Sequence, residues 1–115
     1  MDLKHLDKRF SLLVRERAQW TCALCRRFFG NDREHLHCSH FHSRRHKSVR
    51  WDPENAEAMC KQCHEYLDMH PREYAEWKKA KLGEERYDAL YRRMQAIVKV
   101  DTKEISAVLN ELEAA

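Results

Sequence analysis

Glycine and proline are almost missing from this chain, with two of each among 115 residues. Architectures of many short strands joined by tight turns need far more of both, so a β-sandwich or barrel is excluded. Long apolar runs are missing as well, and no stretch approaches the length of a membrane span. The opening Met1-Asp-Leu-Lys-His has none of the apolar character of a secretory leader. The expectation is a cytoplasmic protein without a membrane partner. Disulfides do not persist in that compartment, so five cysteines point to metal. Acidic residues are absent from His35 to Trp51, a window that holds Arg44, Arg45, Lys47, Arg50 and five of the eight histidines. A basic run alone reads as a solvated loop; the density of histidine turns it into a candidate site. The net charge of +3 adds nothing to that.

What the chain has in abundance is charge, 36% of its residues, and the helix formers Glu, Lys, Arg, Leu and Ala. Such a chain has a small apolar core and commonly needs a metal to fix its loops. Leu3, Leu6, Phe10, Leu13 and Val14 fall on one face of a helix over residues 2–17. A short hairpin follows over 20–30, then a strand within 34–42, a basic loop over 43–55, and a second strand through Ala58 and Met59. A helix is expected from near Cys63 to Met69. Pro71 opens another, which Gly83 divides in two before Val98. Asp101 or Thr102 caps a last helix carrying Ile105, Val108, Leu109 and Leu112. The fold class expected is α+β and mostly helical. The apolar positions after residue 71 read as core, and the last helix as packed on the domain, paired with a second copy, or free.

Two C-x-x-C turns, Cys22–Cys25 and Cys60–Cys63, each aim a pair of thiolates at one point, and together they complete a tetrahedral zinc site. A redox motif needs only one such turn on a βα unit. Four thiolates fill the coordination sphere, so this zinc is structural and the long intervening loop is closed by it. Cys38 is left over as a free thiol, and chemistry must lie elsewhere.

Between and after the cysteine turns run His37-Cys-Ser-His40-Phe-His42 and Asn55-Ala-Glu-Ala-Met-Cys60-Lys-Gln-Cys63-His64. This order resembles the HNH endonucleases in which a zinc ribbon braces a ββα-metal centre. The resemblance implies a small zinc-braced core flanked by N- and C-terminal helices, with residues 1–98 as the nuclease domain and 99–115 as a helical extension. It also implies His40 as the general base, Asn55 as the residue orienting that histidine and its loop, and His64 as a ligand of a catalytic Mg²⁺ or Mn²⁺. A histidine titrates near neutrality and can take a proton from water, and a divalent ion offsets charge building on a phosphate. Asp68, one turn after His64, is a second candidate ligand or an ordinary surface carboxylate. Where many such enzymes carry Asp or His before the base, this chain has Ser39. His37, on the same strand face, is the candidate substitute.

His37-Cys-Ser-His40-Phe-His42-Ser-Arg44, Cys60-Lys-Gln-Cys63-His64-Glu-Tyr-Leu, Glu73-Tyr74 and Leu82-Gly-Glu-Glu-Arg86 are further similar to the phage NinG/Rap recombination proteins. Ser39 and His64 depart from that family's commoner glycine and asparagine. The likeness implies DNA as partner, branched or recombination-intermediate DNA as substrate, and the host cytoplasm as location if the chain is phage-encoded. Arg44, Arg45, Lys47 and Arg50 are expected to bind backbone phosphates without reading sequence. Cutting two strands needs two centres, which raises a homodimer. Two other classes remain open: an inactive zinc-ribbon DNA-binding module, and a recombination adaptor that works through its C-terminal helices.

Overall fold

A computed structural model describes residues 2–115. Helix α1 (Leu3–Arg17) starts where the Asp2 carboxylate accepts from the His5 amide at 2.8 Å. That contact satisfies one of the free amides of the first turn. Its apolar face, Leu6, Phe10, Leu13 and Val14, is buried against a two-stranded antiparallel sheet. Strand β1 (Leu36–His40) pairs with β2 (Ala56–Cys60) so that Leu36 faces Cys60 and His40 faces Ala56. Both strands lie where the sequence places them. The Cys22–Cys25 turn sits in a tight hairpin closed by a bridge between Thr21 and Phe28, and Ala23 donates to the Ala58 carbonyl at 2.8 Å. The hairpin is thereby stitched to β2.

Helix α2 (Lys61–Met69) begins two residues earlier than the spacing suggests. Cys60 is its cap, with Sγ accepting from the Cys63 amide at 3.5 Å. Pro71 opens α3 (Pro71–Leu82), and Gly83, at φ +84°, separates it from α4 (Glu84–Gln95). That backbone angle is strained for any residue with a Cβ. Helix α5 (Thr102–Ala114) is capped by Asp101, which accepts from Lys103 and Glu104 amides at 3.0 and 3.3 Å. It folds back on α1: Leu109 is fully buried in the same core, and Arg9 reaches Ser106, Asn110 and Glu113 at 2.8, 2.6 and 2.6 Å. Among the three dispositions open to the last helix, packing on the domain is the one observed. No helix among the described residues is long and apolar enough to cross a membrane.

Two sets of contacts fix the helices to the hairpin loop. Phe41 packs edge-on to Tyr74 of α3 and is 5.8 Å from the ring of Tyr87 of α4. Arg93 of α4 pairs with Asp52 and Glu54 at 2.9 Å each, and Arg86 adds a second pair to Glu54 at 2.6 Å. The turn over Pro53–Asn55 is held between sheet and α4 as a result.

Candidate metal centre and basic cleft

Cys22, Cys25, Cys60 and Cys63 converge, with their sulfurs all within 4.8 Å of one another. Cys25 Sγ and Cys60 Sγ are 3.9 Å apart. A tetrahedron with zinc–sulfur arms of about 2.3 Å has edges of about 3.8 Å, so the spacing fits that ion. The donor chemistry fits as well. Burial opposes ionisation of Cys22, yet amides of Cys60, Cys25 and Leu24 bring its thiol down to about 7. Burial and the neighbouring sulfurs push Cys25 and Cys63 up, an opposition that a bound cation would relieve. The four cysteines form a metal site compatible with structural zinc, and the group brings together the knuckle hairpin, β2 and the start of α2. Among the described residues no other cluster of His, Cys, Asp or Glu closes to a common point in this way.

Cys38 is a half-buried free thiol, pushed up to about 12 chiefly by burial. Ser39 is fully buried, and its hydroxyl is 2.8 Å from the hydroxyl of Tyr74. It is occupied in holding α3 to β1 and presents nothing to a ligand.

Asn55 is also fully buried, and it fastens both ends of the basic loop. Its Oδ1 accepts from the His42 amide at 2.8 Å, while Nδ2 donates to the carbonyls of His42 and Val49 at 3.0 and 3.1 Å. Loop residue Arg50 is clamped in turn to Asp7 of α1, with Nε 3.0 Å from Oδ1 and Nη2 2.5 Å from Oδ2. The carbonyl of that same Arg50 accepts from His40 Nε2 at 2.9 Å. Asn55 thus holds Val49, the neighbour of the residue whose carbonyl accepts the His40 N–H, and makes no hydrogen bond to His40 itself. Burial holds His40 below the ordinary 6.5, with Arg44 and Arg50 pressing the same way against the opposing pull of the carbonyl.

His37 and His64 face each other, with Nδ1 to Nδ1 at 3.1 Å and rings edge to face. His37 Nε2 donates to the Glu34 carbonyl at 3.0 Å, which leaves its Nδ1 as a lone pair. His64 Nε2 lies 3.3 Å from Asp68 Oδ2, so a proton is favoured there too. Burial depresses His64, and Asp68 opposes this. Asp68 thus stands on the far side of the His64 ring from His37, and the three side chains do not close around one point.

His37, His40, His64 and Asp68 line a single open cleft of about 850 Å³ between the sheet, α2 and α1. Of the four basic loop residues, Arg44 and Arg50 line it, whereas Arg45 and Lys47 face the segment joining α4 to α5. Arg50 is paired with Asp7, so of the four only Arg44 is both on the cleft and exposed, while Arg45 and Lys47 lie on a separate part of the surface. The cleft's other cations come from α1, namely Lys4, Lys8 and Arg15. Sequence reasoning passed over these because the apolar period of α1 dominated its reading. Their spacing, with Ser11 between, is that of a second helix face.

Comparison of the chain with protein-family models, with curated proteins and with solved structures gave no match.

Proposed function

We propose that this protein is a metal-dependent DNA endonuclease of the HNH type, in which the cysteine site holds a structural zinc and the histidine cleft hydrolyses phosphodiester bonds. The observation that carries the proposal is the 3.1 Å approach of His37 Nδ1 to His64 Nδ1 in the cleft that also holds His40. If each ring keeps its outer proton, two lone pairs face each other, and such an arrangement calls for a cation or a shared proton between them. His37 and His64 would hold a divalent ion between these two nitrogens, at arms of about 2.1 Å. His37 then supplies the ligand that Ser39 does not. Glu34 and Asp68 take the outer-shell role, fixing the tautomer and direction of the two imidazoles.

A divalent ion held there supplies positive charge against the charge that builds on the phosphate and the leaving oxygen. The remaining work belongs to the chain. His40, its Nε2–H committed to the Arg50 carbonyl, keeps Nδ1 free to take the proton of the attacking water. Asn55 and the Arg50–Asp7 clamp hold that ring's acceptor in place. Arg44, exposed at the cleft edge, is available to a backbone phosphate. The likeness to recombination proteins extends the proposal to branched DNA as the preferred substrate.

Nicking of supercoiled plasmid with Mn²⁺ or Mg²⁺, wild type against His40→Ala, is the test. The expected result is cutting by the wild type and a loss of about 10²-fold or more in the variant. Equal nicking by both proteins would remove His40 from the chemistry. Binding without cutting would leave a zinc-braced DNA-binding module in place of an enzyme. Branched and linear substrates run side by side decide the extension.

A further inference from the structure

The basic loop supplies only part of the cleft's charge, and the rest belongs to α1. Lys4, Lys8, Ser11 and Arg15 recur at intervals of four, three and four, which places them on one helix edge. All four line the cleft that contains His37, His40 and His64. Lys4 and Lys8 are exposed, and neither makes an ion pair among the described residues. Arg15 spends only Nε, which donates to the Leu36 carbonyl at 2.7 Å, so its two terminal nitrogens remain for a ligand. The one carboxylate of α1 in the cleft, Asp7, is already neutralised by Arg50 and approached by Arg44 at 3.7 Å. The opposite face of the helix is committed to the core through Leu6, Phe10 and Leu13. The cationic edge therefore has a fixed position relative to the histidines.

We infer that the Lys4–Lys8–Arg15 edge of α1 is a phosphate track that grips the DNA backbone to one side of the bond being cut. This rests on the reading of the cleft as a nuclease centre and adds where the substrate strand runs. From Lys4 to Arg15 the helix rises about 16 Å. That matches the rise of about five nucleotides of one strand at about 3.4 Å each. A straight helix edge of that length suits the regular charge of a duplex arm, and lysine heads on flexible stems neutralise phosphates without reading bases. Arg45 and Lys47, although neighbours of Arg44 in sequence, lie off this track.

The test uses the full chain in a His40→Ala background with no added divalent ion, so that binding is read without cutting. Fluorescence anisotropy with a labelled duplex gives the slope of log Kobs against log[NaCl]. Lys4→Gln combined with Lys8→Gln is expected to make that slope shallower by about two, at about 0.9 per phosphate released. Arg45→Gln combined with Lys47→Gln is expected to leave it unchanged. Both pairs are on the surface, and matching thermal melts establish that the fold is intact. An unaltered slope in the Lys4/Lys8 variant overturns the track while leaving the nuclease reading standing. A fall as large in the Arg45/Lys47 variant also overturns the assignment to α1. Absence of any binding by the parent protein at low salt sinks the track and the nuclease together.

Discussion

His40 donates from Nε2 to the carbonyl oxygen of Arg50 at 2.9 Å, and this one bond decides which nitrogen of the ring is free. A carbonyl only accepts, so the proton sits on Nε2 and the lone pair on Nδ1. Burial holds the ring's pKa below 6.5, which keeps Nδ1 unprotonated through neutrality. A base is active above its pKa, so the acid limb of cleavage should fall at lower pH than an ordinary histidine would give. The check is kcat/KM for nicking from about pH 5 to about pH 8 at constant metal saturation. A single acid limb with its midpoint below 6.5 is expected. A midpoint well above that value would remove His40 as the base.

The His37–His64 pair carries its own consequence. Imidazole nitrogens prefer first-row transition ions to Mg²⁺, in the order Mn²⁺, Co²⁺, Ni²⁺ of rising affinity. Isothermal titration of the zinc-loaded protein should therefore show Mg²⁺ binding more weakly than Mn²⁺, and Mn²⁺ more weakly than Co²⁺. His37→Ala and His64→Ala should each abolish the tight binding. Asp68→Asn, which alters only the partner of His64 Nε2, should weaken it by about 10–100-fold. Undiminished Co²⁺ binding in His37→Ala would show that the two Nδ1 atoms do not share an ion.

Some of this was legible in the amino-acid order and some was not, and the division follows contact range. Two C-x-x-C turns announce a convergent tetrathiolate because each turn carries its own geometry. The 3.6-residue apolar periods of α1 and α5 likewise need no tertiary information. By contrast, the fate of Ser39 is decided by Tyr74, and that of Arg50 by Asp7, partners far apart in the chain. Nothing local distinguishes Arg50, clamped to α1, from Arg44, which stays at the cleft edge. Helix α2 starts two residues before Cys63 because the Cys60 sulfur, a member of the four-cysteine cluster, also caps the helix. Cysteine is not among the residues that ordinarily signal an N-cap.

If the four thiolates hold zinc, stripping the ion should unfold the region around them. The thiolate site connects the Cys22–Cys25 hairpin, β2 and α2, and β2 is one of the two strands among the described residues. Metal analysis of purified protein should return one zinc per chain, released when a mercurial titrates the thiols. Strong chelation, or Cys60→Ala, should lower the melting temperature and lose the near-ultraviolet signal of the packed aromatics. Cys38→Ala is the internal comparison: that thiol lies outside the site, and its loss should leave zinc content unchanged. Zinc lost equally from Cys38→Ala would contradict the assignment of ligands.

The ion pair beneath the sheet makes a prediction about stability that does not depend on function. Lys78 of α3 is fully buried, with Nζ 3.0 Å from Glu57 Oε2, while Lys81 reaches Glu57 Oε1 at 2.6 Å from the solvent side. Burial lowers the pKa of Lys78, and Glu57 is the main influence opposing it. Glu57 has two cations, but Lys78 has one carboxylate, so the two partners are not equivalent. Glu57→Ala strands a buried ammonium and should cost about 3–5 kcal/mol. Lys78→Met keeps an unbranched apolar stem in the same space and leaves Glu57 neutralised by Lys81. It should cost much less, about 1 kcal/mol, as volume-conserving core changes do. Urea unfolding of the two variants at neutral pH measures the difference. If Lys78→Met proved the more damaging of the two, the ammonium itself, and not the avoidance of an unpaired charge, would be what holds α3 against β2.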